Sequence, residues 1–544
     1  MVSPSLTFSA FLILACAVET SASPSGNVVN VVDLGYAKYQ GSLNSTTENT
    51  AFLGMRYAAP PTGALRWREP QAPATTSGVQ LANSQPNQCY QSTFGVAPAS
   101  PFRSSTVSRR DTPISEDCLF LNVWVPGTLQ PNRKLPVVFW IHGGGYTLGS
   151  ASGSFSGVFD GNDLIKEAGG NVVAVVIQYR LGVLGFLSSS QIKANGALNA
   201  GLLDQQFALN WVQQHISKFG GDPTKVTVWG ESAGAGSVIQ HIVANDGNTS
   251  PPLFRAAMTS STFLPSQYNY NDRIPQSYYN SVVTQTNCGS VADTLSCLRN
   301  VDAAVLQAAN MNIAASVFFG TWAPQPVVDG TFITDRPSVL LRNGKTNGVK
   351  MVLSVVNSHE GDAFVNQTTA ATVQIPNYVA NLFPNLGAKD ITAAAQLYQG
   401  LGSNIEQANL IAGESILVCP TYYLLKAFSG CAFKGEFAVP PALHGADVSY
   451  YFPGSSLVPT SVNADLQTAF SGGFLDFVQN LDPNVKSSGP NITPRWNTWS
   501  SQQHNEMLFN VTVAGAAHIH AFHTNAGLLQ RCAFWESIGA STAI

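Results

Sequence analysis

From Leu135 onward the chain alternates between short runs that are apolar throughout and longer stretches with apolar residues at helical spacing. Leu135-Pro-Val-Val-Phe-Trp-Ile141 is one such run and ends in glycines. Val172-Val-Ala-Val-Val-Ile177 is a second, and Val226-Thr-Val-Trp229 a third. Leu202 to Phe219 reads as an amphipathic helix with Leu203, Phe207, Trp211 and Ile216 on one face, and Ala233 to Ala244 as a helix following the third run. A strand with no polar face belongs in a sheet covered on both sides. Such strands separated by helices predict a doubly wound α/β fold with a parallel sheet, its binding site at the carboxyl ends of the strands. No internal repeat or linker divides the chain, so residues 23–544 are read as a single domain.

The apolar stretch at the N-terminus has a different character. Leu6 to Val18 is followed by the small, polar patch Thr20-Ser21-Ala22-Ser23-Pro24. The stretch is too short to span a bilayer, which takes about 20 residues. It matches the core and cleavage zone of a secretory signal, although the positive leading region is missing. Residues 1–22 are therefore predicted to be a signal peptide, cleaved near Ala22. No later segment reaches the roughly 18 uninterrupted apolar residues of a transmembrane helix.

Composition narrows the classes further. Of 544 residues, 44% are hydrophobic and only 11% charged, where about 25% charged is usual. The net charge is −4, from 27 Lys+Arg against 31 Asp+Glu. A chain this apolar and this weakly charged is not disordered, and without a basic surplus it has no footprint of a nucleic-acid binder. Asn-x-Ser/Thr sequons at Asn44, Asn248, Asn366, Asn491 and Asn510 are glycosylation candidates. They fit a secreted, extracellular protein whose solubility rests on neutral polar residues and glycans.

Loss of Cys16 with the signal leaves seven of the eight cysteines, an odd number that requires a free thiol. Cys288 with Cys297 closes a short loop and Cys89 with Cys118 a longer one. If Tyr422–Phe428 is helical, the twelve residues from Cys419 to Cys431 span roughly 18 Å at about 1.5 Å per residue, beyond disulfide reach. Cys419 with Cys532 is then one choice, and the pairing among Cys419, Cys431 and Cys532 stays open.

The chemistry enters directly after the third strand, as Gly230-Glu231-Ser232-Ala233-Gly234. Gly-x-Ser-x-Gly alone is a weak signal, but here it stands between a strand and a helix. There the glycines allow a sharp turn that exposes the Ser232 hydroxyl, and the Ala233 N–H opens the helix toward any oxyanion formed beside it. His142-Gly143-Gly144-Gly145-Tyr146 follows the Leu135–Ile141 strand. Successive glycines give unhindered N–H groups of the kind a tetrahedral oxyanion needs. The absence of a following Gly-Lys-Ser/Thr sets this loop apart from a phosphate-binding one.

Glu116-Asp117-Cys118-Leu119-Phe120-Leu121-Asn122-Val123, the His-Gly-Gly-Gly strand end, Gln178-Tyr179-Arg180-Leu181-Gly182 and Gly-Glu-Ser-Ala-Gly together resemble the type-B carboxylesterase/lipase family. These are the cholinesterase-like α/β-hydrolases, and the similarity is greatest to secreted fungal esterases and lipases. It runs from about Val31 to Trp535. The resemblance implies an α/β-hydrolase fold, with a large, mostly parallel central sheet, helices on both faces and insertions forming a lid and pocket. It also implies a serine carboxylesterase or lipase that needs no cofactor and no metal.

The family's triad runs Ser, acid, His along the chain. Its acid segment is matched by Asn357-Ser358-His359-Glu360-Gly361-Asp362-Ala363-Phe364, which carries the role to Glu360, with Asp362 as rival; His359 departs from the acidic residue usual there. His444, in Ala442-Leu443-His444-Gly445-Ala446-Asp447, matches the catalytic histidine. In the implied acyl transfer Ser232 attacks, His444 moves the proton, Glu360 holds His444, and the N–H groups of Gly144, Gly145 and Ala233 bind the oxyanion. His518, His520 and His523 could mimic a metal cluster, but they lack partner cysteines or acids, and a surface segment is the favoured reading.

Substrate is less defined. The Cys89–Cys118 loop resembles the family's lid and holds Tyr90, Phe94, Phe102 and three arginines, a modest apolar face that favours an esterase over a strongly interface-activated lipase. It has no Trp to stack on a choline cation. Phe318, Phe319 and Trp322 resemble the segment that shapes the acyl pocket and fit equally well as core aromatics. Met258-Thr259-Ser260-Ser261 departs from the family's usual Ser-Gly at its last two positions. The expected substrate is a small-molecule or lipid ester, met in solution or at a lipid–water interface. The alternatives are a true lipase or sterol-type esterase, a hydroxycinnamate esterase, or a non-catalytic binding protein of the same family.

Overall fold

The computed structural model describes residues 1, 30–99, 114–152, 159–453, 463–487 and 489–544. Residues 2–22 of the predicted signal, and Phe102, Arg103, Arg109 and Arg110 of the Cys89–Cys118 loop, lie outside them. Among the described residues thirteen strands form one sheet. They are β1 (Val31–Asp33), β2 (Lys38–Leu43), β3 (Thr50–Arg56), β4 (Val79–Ala82), β5 (Phe120–Val125), β6 (Leu135–Ile141), β7 (Val173–Ile177), β8 (Gly221–Glu231), β9 (Ala256–Ser260), β10 (Met351–Asn357), β11 (Ala432–Phe437), β12 (Asn505–Val511) and β13 (Ala517–His523). The order is β1-β2-β3-β5-β7-β6-β8-β9-β10-β11-β12-β13, with β4 paired to β2.

The three strands expected from the apolar runs are β6, β7 and β8, and they are neighbours in the parallel centre that extends from β7 to β12. Antiparallel pairs close both flanks. Alternate residues of β6 feed opposite cores: Val137, Phe139 and Ile141 pack into one, Val138 and Trp140 into the other. That two-sided burial is why the run has no polar positions. Each such side chain contributes about 1.5–3 kcal/mol by leaving water.

After β7 and two short helices, Gly182–Phe186 and Ser190–Asn195, comes the long helix Ala200–His215, continued by the 3₁₀ turn Ile216–Phe219. Its fully buried positions include Leu202, Leu209, Trp211 and Val212, while Leu203 and Phe207 are only half-buried. The predicted stripe is thus rotated, because the helix is covered on more than one side and also buries Asp204. The Asp204 carboxylate takes a two-pronged bond from Arg180, 2.7 Å from both Nε and Nη2, and fastens the end of β7 to this helix. The helix after β8 begins at Ala233, and its helical backbone ends at Ala244 (φ −51°, ψ 144°).

Disulfides join Cys89 to Cys118, Cys288 to Cys297 and Cys419 to Cys532. Cys419 opens the helix Cys419–Ala427, and Cys431, past its other end, is the free, exposed thiol among the described residues. Among the described residues no helix is long and apolar enough to cross a membrane.

Candidate active site

The carboxyl ends of β6, β8, β9 and β10 converge on one point. At the end of β8, Ser232 takes φ 56°, ψ −123°, strained for a residue with a Cβ. The turn is held by the Ser232 N–H, which donates to the Ser260 carbonyl at 2.9 Å. At the end of β6 the glycine loop passes against this turn. A Cβ on Gly143 would lie 2.9 Å from the Ser232 Cβ, and one on Gly145 (φ 61°) would lie 2.1 Å from the Trp322 ring. Among the described residues no protein acceptor takes the N–H of Gly144, Gly145 or Ala233. His142 is buried, stacks on Tyr179 at 4.4 Å and stays neutral, its pKa lowered to about 4 by burial.

Glu360 follows β10 and is buried; its Oε2 lies 2.6 Å from His444 Nδ1. Asp362, the rival acid, faces His359 at 3.6 Å instead. The two loops are tied together by the His359 N–H, which donates to the Ala442 carbonyl at 3.0 Å. This leaves the His359 side chain outside and accounts for tolerance of a basic group there. The ring of Phe364 stands edge-on to His444 at 4.9 Å. The other imidazole nitrogen, Nε2, lies 3.3 Å from Oε1 of Glu231, the residue before Ser232.

Burial pulls the His444 pKa down, but the Glu360 carboxylate, through charge and hydrogen bond, and then Glu231 and Asp447 outweigh it and raise the pKa above 6.5. Burial likewise pushes the Glu231 carboxyl up, against the pull of His444. Asp447 is also buried and raised by burial, and is held by Asn357 Nδ2 at 2.9 Å and the Tyr451 hydroxyl at 3.0 Å. Sequence reasoning assigned no role to Glu231, Asp447, Asn357, Tyr451 or Ser261, although all but Tyr451 fall inside the quoted segments.

Behind the glycine loop lies an aromatic-walled cavity of about 470 Å³, bounded by Phe186, Phe263, Phe318, Trp322, Phe383 and Ile416. Phe318 and Trp322 line it. Phe319 does not; it packs on Phe94 of the Cys89–Cys118 loop at 5.8 Å, and Phe94 in turn stands edge-on to Trp322 at 5.6 Å. His518 and His520 sit side by side on exposed β13, 4.7 Å between rings. Among the described residues no group of three or more His, Cys, Asp or Glu could hold a metal ion.

A strand–turn–helix serine at the carboxyl edge of such a sheet, with insertions above it, is the architecture of the α/β-hydrolase class. Residues 28–535 match the family described as the carboxylesterase family. The chain is 31% identical over 507 residues to "Carboxylesterase patB" of Aspergillus clavatus, covering 85% of this chain and 90% of the relative. It is 29% identical to "Secreted lipase 1" of Botryotinia fuckeliana over 91% of this chain and 89% of that one. The crystal structure of Aspergillus niger EstA superimposes with a TM-score of 0.82 at 30% identity, covering 96% of this chain and all of that one. The chain belongs to the carboxylesterase family and is a carboxylic ester hydrolase.

Proposed function

We propose that residues 23–544 form a single-domain secreted serine esterase that acts on lipophilic carboxylic esters through an acyl-enzyme. The observation that carries this reading is His444, held by Glu360 at 2.6 Å with its other nitrogen 3.3 Å from Glu231, the neighbour of the strained Ser232. A serine hydroxyl is not a nucleophile at neutral pH until a base takes its proton. His444 Nε2 accepts that proton as Ser232 Oγ attacks the ester carbonyl, and Glu360 stabilises the imidazolium. The Gly144, Gly145 and Ala233 N–H groups receive the oxyanion. His444 returns the proton to the departing alcohol, and water repeats the sequence on the acyl-enzyme.

Gly145→Ala tests the oxyanion site. With the new methyl driven against Trp322, the loop shifts and kcat falls about 10²–10³-fold, the loss typical of one displaced donor. An unchanged kcat in a folded variant would remove Gly145 from the site.

The aromatic cavity supports a lipophilic acyl group. Each methylene entering apolar surroundings contributes about 0.8 kcal/mol, roughly fourfold in rate. In a series of p-nitrophenyl esters kept below their solubility limits, kcat/KM therefore rises steadily from acetate through hexanoate. A flat or falling series would exclude the cavity as acyl site. A rise that appears only above the solubility limit would favour a true lipase, a reading to which the lipase among the relatives lends weight. Secretion is supported by the apolar leader, by the disulfides and by that relative's description as secreted. Among the sequons, Asn44 and Asn248 are exposed and are the first expected to carry glycans.

A further inference from the structure

We propose that Ser261 is a positioning residue for Glu360, bought at the cost of a strained backbone at the tip of β9. Ser261 is fully buried and has φ 55°, a left-handed conformation that favours glycine. Its N–H donates to the Val355 carbonyl at 2.9 Å, which fixes the strained residue against β10. Its hydroxyl lies 2.6 Å from Glu360 Oε1, the carboxylate oxygen not used by His444.

The direction of that bond is set by its neighbours. Asn357 Nδ2 donates to Ser261 Oγ at 3.0 Å and to Asp447 Oδ1 at 2.9 Å. With its oxygen already accepting, the Ser261 hydroxyl proton goes to Glu360. The Asn357 backbone N–H reaches the same Glu360 oxygen at 2.7 Å. Glu360 Oε1 thus receives two donors, which leaves Oε2 aimed at His444 Nδ1.

The position also links both halves of the site. Ser260, the residue before, uses its carbonyl to anchor the Ser232 N–H at 2.9 Å. Two consecutive residues at the end of β9 therefore hold the nucleophile turn and the acid. A glycine at position 261 would satisfy the backbone and leave Glu360 with one donor fewer.

The inference rests on Glu360 serving as the acid of the proposed triad, so three variants are measured together. Ser261→Gly relaxes the backbone and removes the hydroxyl, while Ser261→Ala keeps the strain and removes the hydroxyl. Tm of Ser261→Gly is expected to exceed that of Ser261→Ala, whereas kcat falls about ten- to a hundredfold in both with KM little changed. A purely structural role would make kcat follow Tm. Wild-type kcat in a folded Ser261→Gly protein overturns the proposal if Glu360→Gln is severely impaired in the same assays. Full activity of Glu360→Gln overturns the triad assignment itself.

Discussion

Ser232→Ala is expected to leave a folded protein whose kcat on p-nitrophenyl butyrate is about 10⁶-fold below wild type. Losses of that size follow removal of an acyl-transfer nucleophile, because histidine and acid contribute nothing without the oxygen they activate. Folding should survive. Ser232 occupies its unusual φ and ψ through the β8–helix turn and the bond from its N–H to Ser260, both of which alanine retains. A residual rate about 10³–10⁴ above that in water is expected from the oxyanion N–H groups and substrate binding. The same measurement addresses the binding-protein alternative, since a non-catalytic family member would have no activity for the substitution to remove.

Glu360→Gln should lower kcat by about 10⁴-fold, the cost of an amide where the orienting carboxylate belongs. It should also move the pH profile in a fixed direction. The base works only as neutral imidazole, so kcat/KM rises with pH as His444 loses its proton. Glu360 stabilises the cation and holds the His444 pKa above 6.5, which places the acid limb of the wild type above that value. Without the carboxylate charge the cation is less favoured, and the limb moves to lower pH even as the plateau falls. A variant whose limb stays in place would show that another carboxylate, Glu231 or Asp447, governs His444.

Much of this site is legible in the sequence because catalysis by a serine ester hydrolase ties rare local patterns to strand ends. Ser232 and the glycines after β6 stand in short motifs directly after apolar runs, and Glu360 and His444 follow from motif resemblance and chain order. Strands β6, β7 and β8 of the parallel centre are legible for a related reason, since two-sided burial writes apolar runs. Strands β11 and β12 carry polar residues such as Lys434 and Glu506 and do not read as such runs. The flanking antiparallel strands are short and partly exposed, and β13 reads as a polar surface segment.

The residues that escaped notice act through burial. Glu231 and Asp447 look like ordinary acids beside Ser232 and His444 until the fold is seen to bury Asp447 and to set Glu231, only slightly exposed, against His444. Ser261 was visible as a departure from Ser-Gly, but its partner Glu360 lies 99 residues away and only the β9–β10 pairing brings them together. Phe319 shows what the motif alone does not give. Its neighbours Phe318 and Trp322 line the cavity, whereas alternation along an irregular segment turns Phe319 toward Phe94.

The most direct test is mass spectrometry of the wild-type protein after reaction with an active-site-directed p-nitrophenyl phosphonate. The proposed mechanism predicts one phosphonyl group per chain, on the peptide that contains Ser232, with esterase activity lost in proportion to labelling. Undiminished ester hydrolysis with Ser232 unmodified, or stoichiometric labelling of a different serine, would contradict it.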